Sequence, residues 1–145
     1  MDFSDRWPDM KMKHLEMLQA IVARMNTCSQ QCKVAALAIV SAIIGLATTT
    51  VNPDTALVAI PLIILFTFLD AHYLKLERSF RSKYDDVRRT ELTDAPDFDL
   101  TPVGERRIWS ALFSPSVLIF YLGMTAVTVA AFWFIDRTII LPVSS

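Results

Sequence analysis

Apolar residues in this chain are concentrated in three uncharged blocks, rather than at the periodic positions typical of a soluble fold. The blocks extend from Val34 to Val51, from Thr55 to Leu69 and from Ser114 to Ile135. Crossing the hydrocarbon core of a bilayer takes about 20 helical residues. The first and third blocks are long enough alone, and the second becomes so if its helix continues past Asp70. The pattern predicts an all-α integral membrane protein with three transmembrane helices.

Amphipathic patterns flank the first two blocks and predict that their helices continue outside the membrane. Before the first block, residues of one helix face recur at spacings of three and four, at Leu15, Leu18, Val22, Met25 and Ser29. After the second block, an apolar stripe continues among charges through Leu69, Tyr73, Leu76, Phe80, Tyr84 and Val87. A single helix of about 50 Å is predicted from Thr55 to Arg89. We expect the two stripes to pack as a cytoplasmic helical hairpin, within one subunit or between subunits.

These patterns divide the chain into segments with different expected surroundings. Residues 1–33 form an amphipathic cytoplasmic helix, 34–51, 55–74 and 114–135 are the three spans, and 75–89 extend the second-span helix. Residues 90–113 form an acidic loop and an interfacial segment, and 136–145 are an outer tail. Ser114 and Pro115 have the residue types of an N-cap and a first helical position. The small polar residues from Asn26 to Gln31 are the expected bend before the first span.

The basic residues lie almost entirely on one side of the three-span arrangement. Of the 14 Lys and Arg, all but Arg137 precede the first span or lie between the second and third. The positive-inside rule then places the N-terminus in the cytoplasm and the C-terminus outside. The first 33 residues lack the apolar core of a signal peptide. The net charge of −1 does not by itself indicate a nucleic-acid partner.

Small residues form a narrow face on the first span and predict close helix packing. The face contains Ala38, Ala42 and Gly45, with Ala35 and Thr49 at its ends. Small side chains let helix backbones approach in lipid, where packing drives association. The alternative is that alanine is simply common in membrane helices.

Polar groups at the spans leave two interpretations open. No ionisable residue lies in the middle of a span, which argues against ion-coupled transport. Asp70 lies where the second span leaves the membrane, either as an acidic ring at the mouth of an oligomeric pore or as an interfacial acid. In the second case its partner is Lys33, Arg106 or Arg107. Thr125 and Thr128 make one face of the third span slightly polar, and they either line a narrow pore or bond back to helix carbonyls.

The extension of the second-span helix is basic along its polar flank. The candidate ligand-binding residues there are Lys75, Arg78, Arg81 and Arg88, with Tyr84 available for stacking. One interpretation is membrane topology and attraction to anionic membrane lipid. The other is a binding surface for a phosphate-rich ligand.

Catalytic and metal-binding patterns are lacking in the sequence. It contains no nucleophile elbow, phosphate loop or His-Glu-x-x-His motif. Cys28 and Cys32 are four residues apart on a predicted helix, and with His14 and His72 they make only a weak zinc pattern. We therefore expect neither an enzyme nor a bound metal or cofactor.

Two stretches resemble a known group of proteins. They are KHLEMLQAIVARM at 13–25 and FLDAHYLKLERSFR at 68–81, the latter followed by YDDVR at 84–88. Both resemble small bacterial inner-membrane effectors of anti-phage defence loci that also encode a nucleotidyltransferase, in particular the membrane effector of the Hailong system. The resemblance covers about residues 12 to 89. The matching residues are Glu16, Gln19, Arg24, Asp70, Tyr73, Glu77, Arg78, Phe80, Arg81, Tyr84 and Arg88.

The resemblance implies a homo-oligomeric channel, a tetramer, whose opening depolarises the inner membrane of an infected cell. It also implies control by a product of the partner nucleotidyltransferase, a nucleotide or single-stranded DNA oligomer. With one subunit too small to enclose a conduit, the sequence favours an oligomeric, ligand-gated channel. The alternative is a non-conducting membrane scaffold that recruits a cytosolic protein through its helical hairpin.

Overall fold

The computed structural model describes residues 6–89, 99–102 and 108–140. This part of the chain forms α1 (Trp7–Thr50), α2 (Pro53–Leu57), α3 (Ala59–Arg89), α4 (Ile108–Leu112) and α5 (Pro115–Ile140). No strand occurs among the described residues, so the predicted all-α class is confirmed for them. The start of α5 at Pro115 is confirmed as well, because the Ser114 carbonyl accepts the first helical hydrogen bonds, from Val117 and Leu118.

Three helical segments are long and apolar enough to cross a membrane: α1, α2 together with α3, and α5. The 44 residues of α1 extend about 66 Å, roughly twice the thickness of a hydrocarbon core. Large apolar side chains cover the outside of the segments, and Leu65, Ile119 and Phe134 are 61%, 74% and 70% exposed. Such a continuous apolar surface suits lipid rather than water. The chain is thus a multi-pass membrane protein by the length and composition of its helices.

The core lies where the three segments meet. Ala36 and Val40 of α1, Ala59 and Ile63 of α3, and three residues of α5 form one buried cluster, the α5 members being Val117, Tyr121 and Met124. A second cluster, farther along the bundle, joins Ala47, Ala56 and Ile135. Alanine side chains are small, so the helix backbones can approach closely at both clusters.

The connection between α1 and α2 is a tight turn. Val51 ends α1 in the left-handed conformation with φ of 50°, and its N–H donates to the Ala47 carbonyl. Asn52 then caps α2, because its Oδ1 accepts from the Asp54 N–H at 3.1 Å. The turn places α1 and α2 side by side without a long loop.

The prediction of a single helix from Thr55 to Arg89 is wrong at one point. The helix is interrupted at Val58, which separates α2 from α3. Pro61 explains the interruption, because it has no N–H to donate to the Leu57 carbonyl and its ring crowds that carbonyl. From Ala59 to Arg89 the helix is continuous, as expected.

The expected bend from Asn26 to Gln31 does not interrupt α1, which is helical throughout. The small polar side chains of this patch find partners that leave the helical backbone intact. Thr27 donates to the Ala23 carbonyl at 3.0 Å, and Ser29 bonds to a carboxylate on α3. The patch contains neither glycine nor proline, so nothing in it breaks the backbone ladder.

The stripe predicted as the packing face of α3 is displaced from the face that is buried. Leu69 is 40% exposed, and the rest of the stripe is half-buried. The buried positions in this part of α3 are instead Asp70, Ala71, Glu77 and Ser79. Asp70 has its partners on α1, whereas Glu77 and Ser79 bond within α3, to Arg81 and to the Lys75 carbonyl.

Candidate functional site

The polar ends of α1 and α3, residues 7–33 and 70–89, lie against each other and are called the polar helix pair below. Gln19 donates from Nε2 to the Tyr84 hydroxyl at 3.1 Å, which joins two residues 65 positions apart in the chain. Leu18 is fully buried in this region. Since α1 and α3 also contain two of the apolar segments, the polar helix pair is continuous with both.

A buried polar cluster lies where the polar helix pair meets the apolar part of the bundle. It consists of Ser29, Lys33 and Asp70 and is called the Asp70 cluster. The Lys33 ammonium lies 2.7 Å from Asp70 Oδ2 and donates to Ser29 Oγ at 3.0 Å. The Ser29 hydroxyl donates to the other carboxylate oxygen. Ser29 and Lys33 are one turn apart, so both reach the same carboxylate from one face of α1.

Burial makes the Asp70 cluster a strong link between the helices. Asp70 is fully buried, and the Lys33 side chain is only 12% exposed. Removing one member of a buried pair leaves an uncompensated charge in a low-dielectric environment, at a cost of about 3–5 kcal/mol. Tyr121 of α5 is also buried, in the core cluster that α5 forms with α1 and α3. The Asp70 cluster itself joins α1 to α3.

An open groove of about 370 Å³ lies between α1 and α3 on the surface of the polar helix pair. It is called the polar groove, and its lining consists of Gln19, Val22, Ala23, Asn26, Arg81 and Tyr84. Two amides, a guanidinium and a phenol thus face a shared space with an apolar floor. Guanidinium groups bind phosphate, and amides and aromatic rings bind the edges and faces of bases.

Arg81 is the charged group of the polar groove. Its guanidinium lies 2.7 Å from Glu77 Oε1, one turn earlier on α3, and its side chain is 62% exposed. Glu77 is buried and pairs with one terminal nitrogen of the guanidinium, and the exposed side chain leaves the rest of the group accessible to solvent. Such an orientation favours an anionic ligand that approaches from outside.

The polar groove unites two of the five predicted ligand-binding residues, Arg81 and Tyr84. The other three, Lys75, Arg78 and Arg88, are not among the described residues that line it. Arg78 instead donates to the Ser110 carbonyl at 2.9 Å and to Ser114 Oγ at 3.0 Å. It joins α3 to the junction between α4 and α5. Arg88 is exposed in the last turn of α3.

Of the predicted pore residues, Asp70 and Thr128 are buried within the single subunit, and Thr125 is half-buried. Asp70 pairs with Lys33, the one candidate partner among the described residues, since Arg106 and Arg107 lie outside them. Thr125 and Thr128 donate back to helix carbonyls, at 2.8 Å from Tyr121 O and 2.9 Å from Met124 O. Their role in a pore concerns an assembly and stays a prediction.

The small-residue face of α1 is not used within the subunit. Ala38, Ala42 and Gly45 are exposed, and a Cβ placed on Gly45 meets no atom within 4 Å. The contacts to α3 and α5 come from a different face of α1, which contains Ala36, Val40 and Ala47. The exposed face is therefore available to another helix.

Sequence reasoning named Gln19 only as a residue that matches the resemblance, and it assigned no site role to Asn26 or Ser29. Gln19 and Asn26 are seven residues apart, so they share one edge of the apolar stripe on α1. This spacing was a usable signal. The helical spacing predicted that Ser29 lies on the stripe of α1, but its bond to Asp70 depends on the pairing of α1 with α3.

No protein-family model matches the chain, and no curated protein or solved structure matches it either.

Proposed function

We propose that this chain is the subunit of an oligomeric, ligand-gated ion channel that depolarises the bacterial inner membrane in anti-phage defence. The observation that carries the proposal is the continuity of α1 and α3 from the polar groove, through the Asp70 cluster, into the apolar bundle. A contact made in the groove is connected to membrane-spanning segments by two rigid helices. The N-terminus is cytoplasmic in this proposal, as the distribution of basic residues indicates.

Several copies are needed because the three segments of one chain pack around a filled core. The exposed small-residue face of α1 supports contact between copies, since close helix approach in lipid depends on such residues. Replacing Gly45 by leucine tests it, because a Cβ at this position meets no atom of its own subunit within 4 Å. We expect the oligomeric mass in detergent to fall while the helical content is retained. An unchanged mass would exclude this face from subunit contacts.

The ligand in this proposal is a nucleotide or a single-stranded DNA oligomer made by a partner nucleotidyltransferase. Arg81 supports a phosphate contact, and Tyr84 supports stacking with a base. Each phosphate contact releases counterions, so the affinity for single-stranded oligonucleotides should fall steeply as salt rises. Arg81→Ala should weaken binding and flatten that salt dependence. Arg89→Ala, which removes the same charge outside the polar groove, is the matched control.

A ligand can move a gate only by binding its open and closed states with different affinities. The Asp70 cluster is where such a difference would reach the membrane. Separation of α1 from α3 at this level would break the Lys33–Asp70 pair and bring the carboxylate to the conduit. The partial negative lining would then favour cations.

Ion flux into liposomes tests the channel directly. Purified protein should conduct ions in at least one of two conditions, in the presence or in the absence of oligonucleotide. The rate of ion flux should differ between the two conditions. Asp70→Asn should alter conductance or gating, and Asp54→Asn, an exposed acid in the first turn of α2, should not. In cells, overexpression without the regulator should collapse the membrane potential within minutes if the ligand is the closing signal.

Each of the following outcomes would change or support one part of the proposal. Protein that passes no ions in any condition, yet still binds oligonucleotide through Arg81, would be a non-conducting scaffold. A reporter fused to the C-terminus that is active in the cytoplasm would contradict the three-span topology. A gene for a nucleotidyltransferase beside this one would support the proposed partner.

A further inference from the structure

A second groove lies farther toward the start of α3, in its apolar part, between this helix and α5. Its volume is about 160 Å³, and the side chains that line it include Ile64, Leu118 and Leu122. Two threonines in the wall have internal partners, because Thr67 donates to the Ile63 carbonyl and Thr125 to the Tyr121 carbonyl. Both threonine hydroxyls are thus satisfied within their own helices, and the surface that the wall presents is mainly apolar. It is called the apolar groove below.

Arg78 lies above one end of the apolar groove. It bonds to Ser110 and Ser114, and these residues flank Leu112, which belongs to the lining. A guanidinium carries five N–H donors, so two hydrogen bonds to serine leave donors for an anion. The arginine is half-buried and its position is held by both contacts.

The spacing of charge and apolar wall matches the shape of a phospholipid. From Ser114, Leu118 is about 6 Å farther along α5 and Thr125 about 16 Å, at about 1.5 Å per residue. A phosphate bound at Arg78 would place its acyl chains beside this stretch. Both walls belong to segments of membrane-spanning length, so acyl chains are the surrounding medium.

We propose that the apolar groove binds one acyl chain of an anionic phospholipid whose phosphate is bound by Arg78. The arginine supplies charge complementarity at the headgroup, and the groove supplies apolar contact below it. The site is separate from the polar groove, and it does not depend on channel activity. Arg78 thereby has two tasks, joining α3 to the α4–α5 junction and holding a lipid there.

The test uses the full-length protein in detergent, titrated with phosphatidylglycerol or phosphatidylcholine, with bound lipid counted by native mass spectrometry. We expect one phosphatidylglycerol per subunit, bound more tightly than phosphatidylcholine. Ile64→Trp should fill the groove and abolish this binding. Ile119→Trp, on an exposed part of α5 outside the groove, is the matched control. Arg78→Gln should weaken binding about tenfold, the effect of one charged hydrogen bond, and Arg89→Gln should leave it unchanged.

Several results would overturn the proposal. They are equal lipid binding by Ile64→Trp and the wild type, equal affinity for the two lipids, or equal losses in the two arginine variants. A change in the oligomeric mass of Ile64→Trp without a loss of lipid would make the groove a contact between copies. Circular dichroism checks folding, and if Arg78→Gln is unfolded the two tryptophan variants decide the outcome.

Discussion

Two lysine–aspartate pairs involve α3 and have nearly the same geometry but different surroundings. The Lys33–Asp70 pair spans 2.7 Å and the Lys83–Asp99 pair spans 2.9 Å. The carboxylate is fully buried in the first pair and 42% exposed in the second. Water competes for Asp99 and screens its charge, whereas Asp70 depends on its protein partners. The difference teaches that burial, rather than distance, decides how much an ion pair contributes to this fold.

The largest effect is expected from Lys33→Met, which leaves the buried Asp70 carboxylate without its cation. The free energy of unfolding should fall by about 3–5 kcal/mol. Helical circular dichroism during denaturant titration in detergent measures the change. The double variant Lys33→Met with Asp70→Leu should recover much of the loss, because it removes both charges. Equal stability of the single variant and the wild type would contradict the assigned role of burial.

Two small residues of α1, Ala47 and Gly45, show the same contrast between a buried and an exposed position. Ala47 is fully buried against Ala56 and Ile135, and Gly45 faces open space. Ala47→Leu should overpack the second core cluster and destabilise the subunit by about 1–3 kcal/mol. Gly45→Leu should leave the unfolding free energy of the subunit unchanged or slightly higher, since glycine is a poor helix former. Thermal unfolding of both variants, each compared with the wild type as a monomer in the same detergent, makes the comparison; similar losses would refute it.

Arg78 is intermediate between the two pairs because it is half-buried and bonded to neutral partners. Arg78→Ala should lower the unfolding free energy by about 1–2 kcal/mol, below the range for the buried pair. Hydrogen exchange should increase mainly in α4 and the first turn of α5, which the guanidinium joins to α3. Arg89→Ala is the control. Uniform loss of protection across α1 would mean that Arg78 supports the whole bundle instead.

The smallest effect is expected from Asp99→Asn. Hydrogen bonds from Thr101 and from Lys83 hold the pKa of Asp99 well below its ordinary range. A carboxyl with a lowered pKa contributes stability above its unfolded pKa of about 3.9, and the contribution is lost as pH falls through the folded pKa. The thermal midpoints of Asp99→Asn and the wild type should therefore differ slightly and constantly from pH 5 to 8. The difference should vanish only in strong acid, and a change near neutral pH would contradict this.

Local features of the sequence account for the helices themselves. The length of each uncharged block predicted the three segments, because about 20 apolar residues satisfy their backbone in lipid only as a helix. Pro115 after Ser114 predicted the start of α5, since proline suits a first helical position. The effect of Pro61 is equally local and was readable, although the prediction of an unbroken helix from Thr55 overlooked it. The channel, its ligand and its assembly stay proposals.

Only the tertiary structure decided how each helix is rotated about its own axis. A span that is apolar on every side favours no face, so its sequence does not say that Ala47 points inward and Gly45 outward. The same rotation selected Lys33 for Asp70 and placed Arg81, but not Arg78, in the polar groove. These partners lie far apart in the chain, and close packing against other helices determines which of them meet.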